Sequence, residues 1–546
     1  MILWHIAFSL LLVSVVEAYH ADVVQLPTGR YKPLRTSGAK VYYNIPYASA
    51  TRFAQPQPIP DDKLTTIFNA TAHGAACVNF AIPPPYDEGF AILLGVIPIE
   101  PQSEDCLMMD VWVPDGHFKE PLPVYFFIPG GGFLVGASFT YDFAPMLQRS
   151  VKIGKPFIAV AINYRLGPLG ELNPSTATDK DINVGIWDQR EALRYVQKHV
   201  HAFGGDPKKV TISGQSAGGG SALQHLIFGE AGLFRAAWMM SVPSASEPHL
   251  QKQPFPKDPL ISQYAEAVGC PAGADIKENV DCLRTIPWPT LQNASIAWQG
   301  SQISMGGPIP RNVFREIRAG DYLNVPVVLT VCRDEATSMG IGFKSSSDET
   351  TAIAPAILTA TGRWMTEEQT AAFIQSVLAA YPNDPALGCP YDGQNTTYGQ
   401  PSQYKRMASI FTDSNWVEPF VEYLDIFSKT QATWGVLWNQ PIPDTDPAMG
   451  VQHGSDLFYY FPTLGGEEHD PRAFGQERLV YEIQDALISF VVDLTPKGPK
   501  DTYQWPKFSV DRKVTSFTAA DGPATVDAPY RPGFDVLRES LRPDGF

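Results

Sequence analysis

The residues best suited to chemistry in this chain are Gly214-Gln215-Ser216-Ala217-Gly218. A serine hydroxyl is a poor nucleophile at neutral pH until a base takes its proton, and a Gly-x-Ser-x-Gly turn between strand and helix pushes that hydroxyl clear of the backbone. The flanks have the required character: β-branched Val210-Thr211-Ile212 enters, and Ala222-Leu223-Gln224-His225-Leu226-Ile227 leaves with helical spacing. Small neighbours let strand and helix approach around a strained serine. In a chain with 44 glycines the same string is also that of an ordinary Gly/Ser turn, so its partners decide its meaning.

A nucleophilic serine needs a base, a carboxylate behind the base, and donors for a developing oxyanion, each carried on an element that can deliver it. The apolar run Pro123-Val124-Tyr125-Phe126-Phe127-Ile128 reads as a buried parallel strand and stops at Pro129-Gly130-Gly131-Gly132-Phe133, where bare amides can point at a ligand atom. Pro156-Phe157-Ile158-Ala159-Val160-Ala161-Ile162-Asn163-Tyr164 is a second such run, and Val325-Pro326-Val327-Val328-Leu329-Thr330-Val331 a third that ends in Cys332-Arg333-Asp334-Glu335. Thr433-Trp434-Gly435-Val436-Leu437-Trp438 reads as a further strand, and the loop after it carries Gly450-Val451-Gln452-His453-Gly454-Ser455-Asp456.

Helical spacing from Asp188 to Val200 ends at Gly204-Gly205-Asp206-Pro207, and a long amphipathic stretch runs from Glu477 to Val492. Strands alternating with helices predict an α/β fold: a large, mostly parallel sheet flanked by helices, with insertions and with reactive groups at the carboxyl ends of strands. Before it, Val41-Tyr42-Tyr43-Asn44-Ile45-Pro46 and the segment from Arg52 to Pro58 form a short-stranded, proline-punctuated entry.

No linker or charge run divides the 546 residues, which predicts one large domain over residues 19–546. A net charge of -16 without any Lys/Arg cluster excludes a nucleic-acid partner. Met1 to Ala18 reads as a secretory signal cleaved before Tyr19, although its first residues lack Lys or Arg. It is shorter than the roughly 20 residues of a spanning helix, so a membrane anchor is the weaker reading.

Export makes disulfides the expected use of the six cysteines. Cys77 and Cys106 are expected to clip a loop with an apolar centre, Phe90 to Ile97, which suits a lid or entrance wall as well as core filler, and Cys270 and Cys282 stand close enough to clip another. Export would also make Asn69, Asn293 and Asn395 usable as glycosylation sites. Scattered histidines and the absence of a phosphate-cradling or His-Glu-x-x-His string predict neither metal nor organic cofactor.

Arg52-Phe53, Ser103-Glu104-Asp105-Cys106-Leu107, Gly130-Gly131-Gly132-Phe133, Asn163-Tyr164-Arg165-Leu166-Gly167, Asp188-Gln189-Arg190 and Gly214-Gln215-Ser216-Ala217-Gly218-Gly219 occur in one order and spacing. With them the chain resembles the type-B carboxylesterase/lipase family, the cholinesterase-like branch of the α/β-hydrolases, from about residue 25 to the C-terminus. The resemblance implies Ser216 as nucleophile, Glu335 as acid and His453 as base, with an oxyanion hole from the amides of Gly131, Gly132 and Ala217. It also implies disulfides Cys77 to Cys106 and Cys270 to Cys282, and structural ion pairs Arg52 with Glu104 and Arg165 with Asp188.

Serine, then acid, then histidine is the chain order of an α/β-hydrolase. Asp334, adjacent to Glu335, is open to the acid role too. The departures are Pro129 before the glycines, Gln215 where Glu is commoner, an unusual Met240-Ser241-Val242-Pro243-Ser244 turn, and Cys332 and Cys389 without family partners. No Trp lies between Cys77 and Cys106, which argues against a choline ester. The expectation is a secreted serine carboxylic ester hydrolase that passes through an acyl-enzyme on small esters with apolar moieties. A lipase whose lid is Phe90 to Ile97 and a non-catalytic binding module are the alternatives; oligomeric state is not legible.

Overall fold

Every second side chain of the apolar runs faces one of two cores, which is why the runs are continuous rather than alternating. A computed structural model describes residues 22–62, 64–80, 100–244, 257–294, 303–339, 367–464, 466–498 and 503–541. The leader read at Met1 to Ala18 and the apolar centre Phe90 to Ile97 lie outside the described residues.

In chain order the strands of the main sheet are β1 (Val24–Leu26), β2 (Gly29–Thr36), β3 (Ala39–Pro46), β4 (Ile67–Ala70), β5 (Met108–Pro114), β6 (Leu122–Ile128), β7 (Ile158–Ile162), β8 (Gly205–Gln215), β9 (Ala236–Met240), β10 (Val327–Cys332), β11 (Thr433–Trp438), β12 (Lys513–Thr518) and β13 (Gly522–Asp527). They lie in the order β1-β2-β3-β5-β7-β6-β8-β9-β10-β11-β12-β13, with β4 added to β2. From β7 to β12 every neighbour is parallel. Antiparallel strands close both ends, β1, β2, β3 and β5 at one and β13 at the other.

Helices cover both faces: α1 (Ala144–Lys152), α2 (Val184–His199), α3 (Ala217–Phe228), α4 (Val313–Ala319), α5 (Tyr404–Thr412), α6 (Glu418–Phe427) and α7 (Glu477–Asp493). Val124, Phe126 and Ile128 of β6 pack with Leu193 of α2, Leu223 of α3, Ile317 of α4 and Leu424 of α6. Tyr125 and Phe127 point the other way, to Met146 and Leu147 of α1 and to Ile483, Leu487 and Phe490 of α7. Each fully buried aliphatic or aromatic side chain of these cores contributes roughly 1.5–3 kcal/mol.

Two boundaries differ from the sequence expectation. The helix expected from Asp188 begins at Val184, because Val184 and Ile186 are already on its buried face. The elbow strand begins at Gly205, where backbone pairing with Leu122 extends it over polar residues that carry no apolar signal. Of the segment from Arg52 to Pro58, only Gln57–Pro58 is a strand.

Arg52 pairs with Glu104 and, through Nη1, donates to the carbonyls of Leu283 and Ile286. Arg165 grips Asp188 with Nη2 at 2.7 Å and Nε at 2.8 Å, both residues buried. Disulfides join Cys77 to Cys106 and Cys270 to Cys282, and Cys332 and Cys389 are buried free thiols. Asn69, Asn293 and Asn395 are exposed. No helix among the described residues is long and apolar enough to cross a membrane.

Candidate active site

Between β8 and α3 the chain reverses direction at Ser216, whose backbone is held at φ 57°, ψ -126°. A non-glycine residue adopts that conformation only when its surroundings enforce it. Here the Ser216 N–H donates to the Met240 carbonyl at the end of β9 (2.9 Å), and its own carbonyl accepts from Gly220 in the first turn of α3 (2.9 Å). The Met240-to-Ser244 turn thus clamps the elbow, with the Ser241 N–H anchored in turn on Thr330 of β10 (2.8 Å). Glycine is obligatory at position 218, since a Cβ there would stand 2.0 Å from the carbonyl oxygen of Ile128.

That contact brings the end of β6, and the glycines after it, against the serine. A Cβ on Gly130 would lie 3.2 Å from Cβ of Ser216. Gly131 takes φ 111° and accepts from the N–H groups of Leu134 and Val135, both at 3.0 Å, which closes the loop into a turn. Tyr164 donates its hydroxyl to the Pro129 carbonyl (2.9 Å), and Asn79 Oδ1 accepts from the Gly136 N–H (2.6 Å). Among the described residues no acceptor engages the N–H groups of Gly131, Gly132 or Ala217. Ala217 opens α3, so its amide has no intrahelical acceptor and sits at the positive end of the helix dipole.

The acid and the imidazole come from β10 and β11, two and three strands outward from β8. Glu335 follows β10; its Oε1 accepts from the Cys332 N–H (2.7 Å) and its Oε2 meets Nδ1 of His453. The loop after β11 is drawn to the same place, since the His453 N–H donates to the Glu335 carbonyl (3.2 Å). Both side chains are 0 % exposed. Asp334 turns the other way: its carboxylate accepts from the N–H groups of Val451 (2.8 Å) and Tyr391 (2.9 Å) and from Arg333. It pins the loop two residues before His453 and does not touch the ring.

Nε2 of His453 lies 3.1 Å from Nε2 of Gln215, and Trp416 stands at a tilt with its ring centroid 5.3 Å from the imidazole. Among the described residues the ring's hydrogen-bond partners are Glu335 and Gln215; Ser216, next in the chain, is not one of them. Three residues beyond the histidine, buried Asp456 takes a hydrogen bond from Thr330 Oγ1 (3.1 Å). Burial, and then the nearby Glu335 charge, push its carboxyl up to about 6. Sequence reasoning missed the contact of Gln215 with His453, although the residue stood out as a departure. It also missed Asp456, for which the sequence carries no signal beyond a polar residue near the histidine. No group of three or more His, Cys, Asp or Glu among the described residues is arranged to hold a metal ion.

A strained serine at a strand-to-helix elbow, on the carboxyl edge of a parallel sheet covered on both faces, defines an α/β-hydrolase. The chain belongs to the carboxylesterase family, whose sequence model matches residues 21–531, and it is a carboxylic ester hydrolase. It is similar to Lipase 5 of Diutina rugosa, 28% identical over 86% of each chain. Secreted lipase 1 of Botryotinia fuckeliana is 29% identical over 97% of this chain and 95% of its own. Secreted triacylglycerol lipase LIP1 of Gibberella zeae is 29% identical over 79% of this chain and 73% of its own.

Proposed function

We propose that this chain hydrolyses carboxylic esters with apolar moieties through an acyl-enzyme on Ser216, with His453 as base, Glu335 as acid and the amides of Gly131, Gly132 and Ala217 as oxyanion hole. The observation that carries the reading is the buried Glu335 carboxylate on His453 Nδ1, which leaves Nε2 as the ring's basic nitrogen beside the elbow. Ser216 Oγ attacks the acyl carbon and its proton passes to Nε2; the imidazolium is stabilised by Glu335. The carbonyl oxygen becomes an oxyanion facing the free amides, each donor contributing roughly 100-fold to 1000-fold in rate. Collapse expels the alcohol, protonated from Nε2, and leaves the acyl group on Ser216. Water then repeats the sequence: it loses a proton to Nε2, attacks the acyl carbon, and frees the acid and the serine.

The relatives named as lipases favour a second reading on the same site, long-chain glycerides as substrate. Those named as secreted, with the leader-like Met1 to Ala18, support export. The test is release of p-nitrophenol from esters of graded acyl length by the wild type and Ser216→Ala, with fluorophosphonate labelling of both. Ser216→Ala is expected to lose labelling and hydrolysis together; equal rates in the two proteins overturn the reading. A jump in rate above substrate solubility identifies the lipase, and a smooth saturation the esterase.

A further inference from the structure

Gln215 departs from its commoner counterpart in the elbow, and the structure shows what its side chain meets. Its carboxamide nitrogen lies 3.1 Å from His453 Nε2, the atom that must receive the Ser216 proton. Its oxygen lies 3.2 Å from where a Cβ on Gly130 would stand, beside the glycine turn. Both Gln215 and His453 are buried, at 2 % and 0 % exposure, so water does not compete freely for the ring. Nδ1 carries its proton toward the Glu335 carboxylate, so Nε2 presents a lone pair and the carboxamide N–H donates to it.

We propose that Gln215 is a positioning residue that occupies His453 Nε2 in the resting enzyme, holds the ring neutral and oriented, and yields the nitrogen to Ser216 when an ester binds. This rests on the reading of Ser216 and His453 as nucleophile and base. A donor to the unprotonated nitrogen favours the neutral imidazole. The charged groups near the ring are Glu335 on Nδ1 and Asp456, which interacts with His453 electrostatically, and both are acidic. Gln215 opposes them without adding a charge, and its amide proton stays on the amide throughout. Glutamate at the same place would add a third anion around one ring, hold the proton on Nε2 and leave less of the ring as free base near neutral pH.

The experiment is the pH dependence of kcat/KM on a p-nitrophenyl ester for wild type, Gln215→Met, Gln215→Ala and Gln215→Glu, with each rate divided by the fraction of protein that fluorophosphonate labels. Misfolded protein then drops out of the comparison. Gln215→Met and Gln215→Ala, which remove the donor, are expected to move the acid limb to higher pH by about half a unit, and Gln215→Glu by about one to three units. A one-unit displacement is a tenfold loss on the limb, with the alkaline plateau less affected. Plateaux that fall while the Met and Ala limbs superimpose on the wild type overturn the proposal, because packing alone gives that pattern. Movement in Gln215→Glu alone also overturns it, being the effect of the new charge. If Ser216→Ala retains hydrolysis, the functional reading itself fails; a dead Ser216→Ala with unmoved Met and Ala limbs defeats only the role of Gln215.

Discussion

Adjacent carboxylates at 334 and 335 face opposite directions, and their amide variants should fail in opposite ways. In Glu335→Gln the Cys332 N–H, 2.7 Å from Oε1, selects the amide oxygen as its partner. The new NH2 then faces His453 Nδ1 and donates to it. A neutral ring that accepts at Nδ1 carries its proton on Nε2, the tautomer that cannot take one from serine. Loss of the proposed triad carboxylate in this manner should lower kcat by about 10⁴-fold, close to 5.5 kcal/mol in barrier height. Stability should fall by about 1–2 kcal/mol, because both carboxylate hydrogen bonds are replaced while the new Nε2–H confronts the Gln215 amide donor.

In Asp334→Asn one amide nitrogen must confront either the Val451 N–H at 2.8 Å or the Tyr391 N–H at 2.9 Å, donor against donor in a site with 0 % exposure. Losing a charge-assisted bond and stranding a buried N–H costs about 3–5 kcal/mol. Turnover per labelled site should fall far less than in Glu335→Gln, through the loosened His453 loop. Burst-titrated kcat and the melting temperature, measured side by side, separate the two. If Asp334→Asn is folded and inactive while Glu335→Gln still turns over, the carboxylates have exchanged roles and the geometry has been misread.

Gly131→Ala puts a Cβ 2.2 Å from the Val135 carbonyl oxygen at φ 111°, so the glycine turn must shift. About 100-fold to 1000-fold should be lost from kcat, with KM little changed. A normal kcat removes the Gly131 amide from the oxyanion hole. Asp456→Asn should stabilise the protein at pH 8. The buried carboxyl has moved from 3.8 to about 6. Its contribution is therefore complete below pH 4 and lost as pH rises to 6, by up to about 3 kcal/mol. Melting temperatures of variant and wild type should converge at pH 4 and diverge above pH 6; a constant gap contradicts the assignment. Replacing Cys77 and Cys106, which are 29 residues apart, by serine should cost about 3–4 kcal/mol through the freed loop, measured as a lowered melting temperature.

What could be read from residues alone follows the range of the interaction responsible. Strands β6, β7 and β10 are visible because both their faces are buried, and α7 because its apolar stripe repeats at helical period. The first five residues of β8, Gly205-Asp206-Pro207-Lys208-Lys209, overlap the helix stop that begins at Gly204; of them Gly205 pairs with Leu122 of β6, and the register then shifts to Val210. At the site the motifs named Ser216, Glu335 and His453. A pattern of residue types cannot distinguish Glu335 from Asp334, since the choice depends on which way the chain turns after β10. The Gln215 contact with His453 spans 238 residues, beyond any local signal.

Backbone pairing also explains why a ring and a carboxylate can sit fully buried without a cation between them. Taking Glu335 out of water is expensive unless its lone pairs are used. One oxygen is tied to the Cys332 amide at the end of β10, and the other to the His453 ring, while the backbone N–H of His453 donates to the Glu335 carbonyl. Asp334 closes a second link between the same two loops through Val451. The carboxylates thus join the end of β10 to the loop after β11 before any substrate arrives, and the orientation that the proposed proton transfer needs is supplied by the sheet. A variant that keeps these backbone hydrogen bonds but alters distant loops should change which ester is chosen before it changes whether Ser216 reacts with a fluorophosphonate.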